Sequence, residues 1–342
     1  MSMHAQPMVD NAVAKPPEIS VLIPTYNYAS YLPEAIESVL AQEFRDFELL
    51  IQDDHSSDNT AEVVKPFCDR DPRVRFEVNA ANLGMVNNWN HCLRLARGEY
   101  IKFLFGDDKL CDMRALGKMI ALLRKNPSAI LAASARTILD EESNVTDLWR
   151  TLPDGCHNGR KIITSCLKEE GNLVGEPSTV LFRKADAQRG FDAAYRQWVD
   201  MEMWFHLLER GDLVYTREPL CGFRRHSLQQ TAVNCATGIP NAEYRAILRA
   251  YLASAWLSRE LLFTLRHNLR RSRLNGCWAD MPPVEMAELE QYLADQLGEG
   301  WYFLYWCKYK LKRPFENLAH SVRKRWPLGR VSKPANLPVL PD

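Results

Sequence analysis

The chain has 342 residues with 43 Lys and Arg against 43 Asp and Glu, so its formal charge at neutral pH is zero. Hydrophobic residues make up 46% of the sequence, which is enough for a core and excludes disorder as a description of the whole chain. A neutral total also argues against nucleic acid as the main partner, because nucleic-acid-binding proteins usually carry a basic excess. The length suggests about two domains.

The cysteines and the N-terminal segment bear on the cellular compartment. None of the nine cysteines forms a C-x-x-C pair, which favours reduced thiols in a cytoplasmic protein over a disulfide framework or a zinc site. Residues 1–17 lack the basic and apolar stretches of a signal peptide, and we expect them to form a disordered tail. No window of the sequence is long and apolar enough to predict a membrane-spanning helix.

Short apolar runs alternate with helical patterns from residue 19 onward. Strands are predicted at 19–23, 47–51, 74–78, 100–105 and 129–133. The segments between them have the apolar spacing of helices, at 31–41, 61–67, 85–96 and 113–125. Because single helices join successive strands, this order predicts an α/β fold with a doubly wound, mostly parallel sheet flanked by helices.

The second half of the chain is less regular. Residues 141–168 are polar and resist assignment, and residues 174–182 have the pattern of a loop that enters a strand. After them we predict a helix at 199–209 and strands at 213–215 and 220–223. Long helices are predicted beyond residue 234, at 242–269 and 283–297. We therefore expect a helical extension at the C-terminal end of an α/β domain.

Polar clusters stand at three predicted strand ends, where doubly wound sheets bind their ligands. They are Thr25-Tyr26-Asn27, Asp53-Asp54 and Asp107-Asp108. Adjacent carboxylates repel one another unless a cation or hydrogen-bond donors compensate. The third cluster therefore fits either a divalent cation bound with phosphate oxygens or a solvated turn. The second cluster can accept from a uracil or thymine base or from a ribose, or it can serve at the start of the next helix.

Other candidate groups each have a functional and a structural interpretation. Asn82 can bond a ligand or cap a turn. Asp200 follows the apolar Trp198, where a raised pKa would make it a base, and it also stands in a first helical turn, where acids complement the helix dipole. Arg225 and His226 after the last predicted strand can neutralise a diphosphate and complete a metal shell, or they can form a basic surface loop.

Taken in order, these motifs resemble the family 2 glycosyltransferases with the GT-A fold. The resemblance runs from about residue 18 to residue 230, and it is carried by the segments Val21–Asn27, Leu50–Thr60, Asn82–Gly84, Ala96–Ile101, Phe105–Asp108, Gly190–Asp192 and Val199–Trp204. The sequence contains no phosphate-binding P-loop, no nucleophile elbow and no G-x-G-x-x-G after the first strand.

The resemblance implies an inverting, metal-dependent enzyme that moves a sugar from a nucleotide-diphosphate donor to a hydroxyl of a glycan or lipid-linked acceptor. UDP- and dTDP-sugars are favoured as donors through Asp54, and the implied cofactor is Mn²⁺ or Mg²⁺. The family context suggests bacterial surface polysaccharide biosynthesis. The sequence lacks the Gln-x-x-Arg-Trp motif of the processive synthases, which favours a single addition over polymer synthesis.

The resemblance also assigns roles to individual residues. Asp200 matches the general base, Asp108 matches a metal ligand, Asp54 is expected to read the base and Asp107 to lie near the ribose. His226 resembles the residue of a C-terminal loop that closes over the diphosphate, and it is also our second candidate metal ligand. The donor is expected to contact Pro24, Thr25, Tyr26, Asp54, Asn82, Asp107 and Arg225, and the acceptor is expected to contact Glu176, Trp198 and Glu202. The family pattern is broken at two positions, because Phe105 and Val199 stand where many members have an acid.

Two other functions are compatible with the predicted sheet. A sugar-phosphate nucleotidyltransferase also uses metal-binding carboxylates, but it should carry a Gly-rich basic loop after the first strand, where this chain has Pro24-Thr25-Tyr26-Asn27. A non-catalytic glycan- or nucleotide-binding relative is the second alternative. The presence of both Asp108 and Asp200 argues against it.

The zero total charge is the sum of two oppositely charged parts. Residues 1–234 carry 33 Asp and Glu against 27 Lys and Arg, whereas residues 235–342 carry 10 against 16. We expect a GT-A domain at 18–234, a helical region at 235–333 and a disordered tail at 334–342. Within the helical region, the aromatic and basic segment 301–325 fits either an anionic membrane surface or packing on the domain. The sequence thus predicts a cytoplasmic protein, with peripheral contact at the inner face of the cytoplasmic membrane as one interpretation.

Overall fold

The structure is a computed structural model that describes residues 15–227, 229–235, 239–271 and 281–308. Most of the predicted N-terminal tail and the whole of the predicted C-terminal tail lie outside the described residues. The basic residues that follow Lys308 also lie outside them. The structure therefore tests the predicted sheet, its helices and the first part of the aromatic and basic segment.

The N-terminal half of the sheet is parallel, as the alternation of strands and helices predicts. Its strands are β1 (Ile19–Thr25), β2 (Phe47–Asp53), β3 (Val74–Val78) and β4 (Tyr100–Phe103). The helices between them are α1 (Leu32–Leu40), α2 (Thr60–Arg70) and α3 (Met85–Leu95). Every residue of β1 and β2 is buried. Their largely apolar sequences follow from this burial, since parallel strands are covered on both faces.

The C-terminal half of the sheet has more strands than the sequence predicts. Its elements in chain order are β5 (Lys109–Leu110), α4 (Ala115–Lys125), β6 (Ala129–Leu139), β7 (Val145–Trp149), β8 (Gly155–His157), α5 (Gly159–Glu169), β9 (Val180–Arg183), α6 (Val199–Leu208) and β10 (Asp212–Arg224). Segment 141–168, which resisted assignment, thus contains β7, β8 and most of α5. The two strands predicted at 213–215 and 220–223 are a single strand, β10, whose register shifts around Pro219, because proline cannot donate to the ladder.

The complete sheet is mixed. Its order is β3-β2-β1-β4-β9-β6-β10-β5, with β7 beside β6 and β8 beside β10. β9 runs antiparallel between β4 and β6, whereas β6 and β10 are parallel. The predicted α/β class with a central sheet flanked by helices is confirmed. The antiparallel position of β9 was not predicted, because periodicity identifies a strand but not its neighbours in the sheet.

Helices follow the sheet in the described residues, namely α7 (Gln230–Cys235), α8 (Ile239–Leu252), α9 (Arg259–Arg271) and α10 (Pro283–Leu297). The prediction of α10 is confirmed, but the single helix predicted at 242–269 is wrong. Ser258 interrupts it, because its Oγ accepts the backbone N–H of Leu261 at 3.2 Å and so caps the start of α9. No helix in the described part of the chain has the length and apolar character that a bilayer span needs.

Two apolar clusters cover the two faces of the sheet. Alternate residues of β1 point to opposite faces, so Leu22 belongs to one cluster, whereas Val21 and Ile23 belong to the other. The cluster that contains Leu22 also includes Trp204 of α6 and Leu248 of α8. The C-terminal helices therefore pack on the same core as the sheet, and the predicted domain boundary after residue 234 stays a prediction.

Candidate active site

The three predicted polar clusters meet at one edge of the sheet. Thr25 at the end of β1 pairs with Asp53 at the end of β2, and the backbone N–H of Asp54 donates to the Thr25 carbonyl at 2.9 Å. Gly106 brings the third cluster alongside, since a Cβ on this glycine would lie 3.3 Å from Thr25 Oγ1. The carboxyl ends of β1, β2 and β4 thus form one site, as the strand order predicts.

Asp54 holds the loop that contains Asn82. Its carboxylate accepts the backbone N–H groups of Leu83 at 2.7 Å and Gly84 at 2.9 Å, and also the side-chain amide of Asn79 at 2.7 Å. The side-chain amide of Asn82 donates to the Asp54 carbonyl at 3.0 Å. Hydrogen bonds thus join both predicted donor-binding residues, although they are 28 positions apart in sequence. The carboxylate of Asp54 already accepts three hydrogen bonds from within the chain. Direct contact between Asp54 and the base stays a prediction.

The residues directly after Tyr26 and Asp54 have an uncommon backbone conformation. Asn27 has φ 57° and His55 has φ 64°, both in the left-handed region, which costs free energy for residues other than glycine. Asn27 is locked by two contacts, because its backbone N–H donates to Ser56 Oγ at 2.8 Å and its Oδ1 accepts the Ser57 N–H at 2.9 Å. Tyr26 itself is 48% exposed at the open edge, where its ring is accessible to a planar base.

Arg224 and His226 reach the acidic pair from the end of β10. The backbone N–H of Arg224 donates to Oδ1 of Asp108 at 3.0 Å, and its Nε donates to the Asp107 carbonyl at 2.7 Å. His226 Nε2 lies 3.0 Å from Oδ2 of Asp107. His226 is therefore at the acidic pair, as predicted, although its hydrogen-bond partner is Asp107 and not Asp108.

The acidic pair offers donor atoms that fit a divalent cation. Oδ2 of Asp108 and Nδ1 of His226 are both buried and have no hydrogen-bond partner among the described residues. Burial, with a further contribution from Asp107, raises the pKa of Asp108 well above its usual range, as expected for adjacent carboxylates without a cation. No group of three or more His, Cys, Asp or Glu side chains in the described residues could hold a metal by itself. The donor set thus fits an ion that completes its shell with phosphate oxygens.

Arg224 contacts the acidic pair, although we did not predict it among the donor-binding residues. Its side chain is buried, and its guanidinium carbon lies 4.9 Å from the centroid of the Tyr31 ring. The guanidinium also contacts Glu34 and Oγ of Ser143. The predicted donor residue Arg225 is exposed, and its backbone N–H bonds the Leu139 carbonyl at 2.9 Å. Successive side chains of a strand point to opposite faces. Because β10 continues to Arg224, the alternation along the strand is the sequence signal that could have identified Arg224, and not Arg225, as the buried arginine.

Asp200 lies in the first turn of α6, far along the chain from the acidic pair. Its Oδ2 accepts the side-chain amide of Asn172 at 2.9 Å, and its Oδ1 accepts the backbone N–H of Met201 at 2.7 Å. Burial, followed by the neighbouring Glu176 carboxylate, raises the pKa of Asp200 to about 7. A carboxylate that titrates near neutral pH is suited to general-base catalysis.

Glu176, a predicted acceptor residue, forms an ion pair beside Asp200. Its Oε2 lies 2.6 Å from Nε of Arg136, and a second guanidinium nitrogen donates to its Oε1 at 3.0 Å. The same guanidinium lies over the ring of Trp149 at 5.2 Å. Sequence reasoning missed Arg136 and Asn172, because the first lies within a buried strand and the second reaches Asp200 across 28 positions.

The other two predicted acceptor residues have partners within the chain. Both carboxylate oxygens of Glu202 accept from Arg189, at 2.7 and 2.6 Å. The indole N–H of Trp198 donates to the Pro240 carbonyl at 2.8 Å. These contacts support a structural role for both side chains, and their contact with an acceptor stays a prediction.

Phe105 occupies the position where the resemblance leads one to expect an acid. Its ring stacks on Trp89 of α3 at a centroid distance of 4.8 Å, and its backbone N–H donates to Ser178 Oγ at 3.0 Å. An aromatic side chain thus replaces a charged one next to the acidic pair. Phe105 therefore supplies no carboxylate to a metal at this site.

Residues 20–190 match the family model described as Glycosyl transferase family 2, and this match covers half of the chain. The chain is a family 2 glycosyltransferase. The matched segment contains the strand-end clusters and ends before Asp200, Arg224 and His226. The roles of these three residues therefore depend on geometry and not on the family match.

Relatives of the chain include bacterial proteins that are named as glycosyltransferases. It is 27% identical over 273 residues to EpsE of Bacillus subtilis (strain 168), which is named as a glycosyltransferase, and the alignment covers 71% of this chain and 92% of EpsE. It is 32% identical over 131 residues to the GalNAc(5)-diNAcBac-PP-undecaprenol beta-1,3-glucosyltransferase of Campylobacter jejuni subsp. jejuni serotype O:2, over 38% of this chain and 41% of that one.

Solved structures with the same architecture are GT-A glycosyltransferases. S. aureus TarS in complex with UDP-GlcNAc has a TM-score of 0.58 at 16% identity, over 81% of this chain and 80% of that chain. The mannosyltransferase PcManGT from Pyrobaculum calidifontis, in complex with GDP-Man and Mn²⁺, has a TM-score of 0.51 at 16% identity, over 92% of this chain and 89% of that chain. These likenesses establish the GT-A fold of the glycosyltransferase.

Proposed function

We propose that this glycosyltransferase moves a sugar from a nucleoside-diphosphate donor to a hydroxyl of a glycan or lipid-linked acceptor, with inversion at the anomeric carbon. The observation that carries the proposal is Asp200, a partly buried carboxylate with its pKa raised to about 7. A base that is about half ionised at neutral pH can take a proton from an incoming hydroxyl. In this proposal the acidic pair at the strand ends binds the donor.

The donor is proposed to lie along the edge where the strands end. Tyr26 offers an exposed ring for the base, and the acidic pair with His226 lies where a diphosphate and its cation would bind. UDP and dTDP are the favoured nucleotides, and the UDP-GlcNAc bound by TarS supports a uridine donor. PcManGT, which has this fold, binds GDP-Man, so guanosine donors belong in any test.

Mn²⁺ or Mg²⁺ is the proposed cofactor. Asp108 through Oδ2 and His226 through Nδ1 are the residues that would hold it, since both atoms are buried without a partner among the described residues. When bound, such an ion supplies Lewis-acid stabilisation of the leaving nucleoside diphosphate. The Mn²⁺ in the PcManGT complex supports this assignment.

The transfer step is a single displacement. The acceptor oxygen forms a bond to the anomeric carbon while the bond from that carbon to the phosphate oxygen breaks, and the acceptor proton passes to Asp200. The transition state is oxocarbenium-like, as in glycoside chemistry generally. Asn172 holds Oδ2 of Asp200 in place through the bond of 2.9 Å. Because one base acts in one displacement, the product has the inverted configuration.

A nucleotide screen tests this proposal. Thermal unfolding is followed with UDP, dTDP and GDP, each with and without Mn²⁺, and release of the nucleoside diphosphate is followed with UDP-glucose, UDP-GlcNAc, dTDP-glucose and GDP-mannose. We expect at least one diphosphate to raise the unfolding temperature more strongly with Mn²⁺, and the matching donor to be hydrolysed slowly. The proposal fails if no nucleotide stabilises the protein and no donor is hydrolysed.

We also propose that the glycosyltransferase contacts an anionic membrane from the cytoplasmic side, near a lipid-linked acceptor of surface polysaccharide biosynthesis. In the last described helical segment, Trp301, Phe303, Leu304 and Trp306 are 45%, 60%, 58% and 38% exposed. The ring of Tyr305 packs inward instead, since its centroid lies 5.7 Å from that of Phe263. Basic residues follow in the sequence, and aromatic and basic side chains together suit a bilayer interface. The undecaprenol-linked acceptor in the name of the Campylobacter relative supports this setting.

Vesicle sedimentation tests the membrane contact. The chain with Phe303→Ser and Leu304→Ser is compared with the unaltered chain on phosphatidylglycerol and on phosphatidylcholine vesicles. Val284→Ser on α10 is the matched control, because Val284 is a single apolar residue that is 71% exposed. We expect the unaltered chain and the control to bind the anionic vesicles and the double variant to bind several-fold less. Equal binding by all three chains contradicts the proposal.

A further inference from the structure

One carboxylate from the C-terminal helices binds three consecutive backbone amides ahead of α6. Oε1 of Glu243 accepts the N–H of Arg196 at 2.6 Å. Oε2 accepts the N–H of Gln197 at 2.8 Å and that of Trp198 at 3.0 Å. Glu243 belongs to α8, which lies 45 to 47 positions further along the chain. Asp200 follows only two residues after the last of these amides.

Further contacts bind the same loop to the same helices. The indole N–H of Trp198 donates to the Pro240 carbonyl at 2.8 Å, and the side-chain amide of Asn234 donates to the Arg196 carbonyl at 3.2 Å. The position of α8 is itself fixed by Tyr244, whose hydroxyl donates to the Leu167 carbonyl of α5 at 2.7 Å. The loop ahead of α6 is therefore attached to a helix that packs on the core.

The start of α6 needs this external support. Trp198 occupies the cap position, and its side chain makes no capping hydrogen bond. Amides at a helix start must find acceptors outside the helix. A carboxylate is a strong acceptor for them, because a charged hydrogen bond is stronger than a neutral one and because the negative charge complements the helix dipole. Glu243 accepts the N–H of the cap residue Trp198 and of the two residues before it, so it anchors the chain where it enters α6.

The body of α6 has its own anchors, so the contact with Glu243 affects mainly the loop that enters the helix. Met201, Met203 and Trp204 are fully buried in the core cluster, and the Trp204 indole N–H donates to the Gly175 carbonyl at 2.9 Å. Loss of the carboxylate would leave these contacts in place. It would free the loop that leads into Asp200.

We propose that Glu243 is a positioning residue for transfer, which holds the start of α6 so that Asp200 faces Asn172 and Glu176. This inference rests on the proposed function, in which Asp200 is the base. It assigns to the C-terminal helices a part in the reaction, and not only in packing or membrane contact. A base displaced by about 1 Å can lose on the order of 100-fold in rate while distant substrate contacts stay intact.

The test compares Glu243→Ala and Glu243→Gln with Glu288→Ala, an exposed glutamate on α10, as the matched control. One readout is UDP affinity with Mn²⁺. The others are kcat and KM for hydrolysis of the sugar donor that the unaltered chain hydrolyses in the nucleotide screen. We expect Glu243→Ala to lower kcat by about 10- to 100-fold with UDP affinity and donor KM within about twofold. Glu243→Gln keeps one acceptor oxygen and should lose less. Glu288→Ala should behave like the unaltered chain.

Hydrogen exchange in the segment 194–200 gives a readout of the anchor itself. We expect faster exchange there in both Glu243 variants and an unchanged rate in α6 beyond Met203. The proposal is overturned if exchange quickens while kcat stays unchanged, or if kcat and UDP affinity fall together in both variants. Asp200→Asn, measured alongside, separates this inference from the proposed function. A normal rate for that variant means that Asp200 is not the base, whatever Glu243 does.

Discussion

The backbone N–H of Arg224 donates to Oδ1 of Asp108 at 3.0 Å, although the two residues are 116 positions apart. The side chain of Arg224 extends the same connection, because its Nε donates to the Asp107 carbonyl at 2.7 Å. The end of β10 is thus joined to the turn that follows β4. A single buried arginine fixes the acidic pair on which the proposed metal and diphosphate site depends.

Arg224→Gln should lower the free energy of unfolding by about 2–3 kcal/mol. A buried ion pair that loses one partner usually costs more than this, but Glu34 is 38% exposed and water compensates it in part. Urea unfolding measures the change. Arg225→Gln is the matched control, and because Arg225 is exposed, its effect should be within about 0.5 kcal/mol. Equal effects of the two substitutions would contradict the assigned role of Arg224.

Asp108→Asn should separate metal binding from folding. Asparagine keeps an oxygen for the Arg224 N–H and removes a buried charge whose pKa is raised by burial and by Asp107. We therefore expect the unfolding temperature without nucleotide to stay equal or to rise. The extra stabilisation that Mn²⁺ gives to UDP binding should be lost. Asp69→Asn on the exposed surface of α2 should keep that stabilisation, and retention of it by Asp108→Asn would exclude Asp108 as a ligand.

Much of this half of the site could be predicted from the sequence. Strands joined by single helices are parallel, so the residues after β1, β2 and β4 had to meet at one edge. The position of Asp107 and Asp108 beside Thr25 follows from that rule. The continuous strand from Asp212 to Arg224 did not follow, because Pro219 made it look like two strands.

The other half of the site depends on contacts between distant segments, which a single sequence does not reveal. Arg136 reaches Glu176 across 40 positions, and Glu243 reaches Trp198 across 45. No local sequence motif marks either pair, because the packing of β6, β9 and α8 brings the partners together. The antiparallel position of β9 is of the same kind. Periodicity predicts the elements, and the core decides which of them become neighbours.

The rate of donor hydrolysis should rise with pH through about 7. The group responsible is Asp200, whose pKa is raised to about 7 by burial and by Glu176, and only its ionised form accepts a proton. Asp200→Asn should lower kcat by about 100- to 10,000-fold with UDP affinity unchanged. Nucleoside diphosphate release between pH 5 and 9 measures both effects. Full activity of the Asn variant would remove the assignment of the base.

The same carboxylate should make stability depend on pH. An unfolded Asp loses its proton near pH 4, whereas Asp200 in the folded chain keeps its proton up to about pH 7. The folded state therefore binds more protons between these values, and its stability falls as the pH rises through this window. By linkage the loss approaches about 4 kcal/mol above pH 7. Asp200→Asn should match the unaltered chain at pH 4 and exceed it at pH 8 in urea unfolding, and parallel curves for the two chains would contradict the raised pKa.

Glu176→Gln should move the rising limb of the rate profile to lower pH. The Glu176 carboxylate is the second cause of the raised pKa of Asp200, after burial, so removal of its charge eases the ionisation of the base. Burial persists, and the midpoint should therefore stay above the usual range of an aspartate. Glu169→Gln on the exposed face of α5 is the matched control and should leave the midpoint in place. An unchanged midpoint in the Glu176 variant, or a shift toward higher pH, would contradict the contribution of the Glu176 charge to the raised pKa of Asp200.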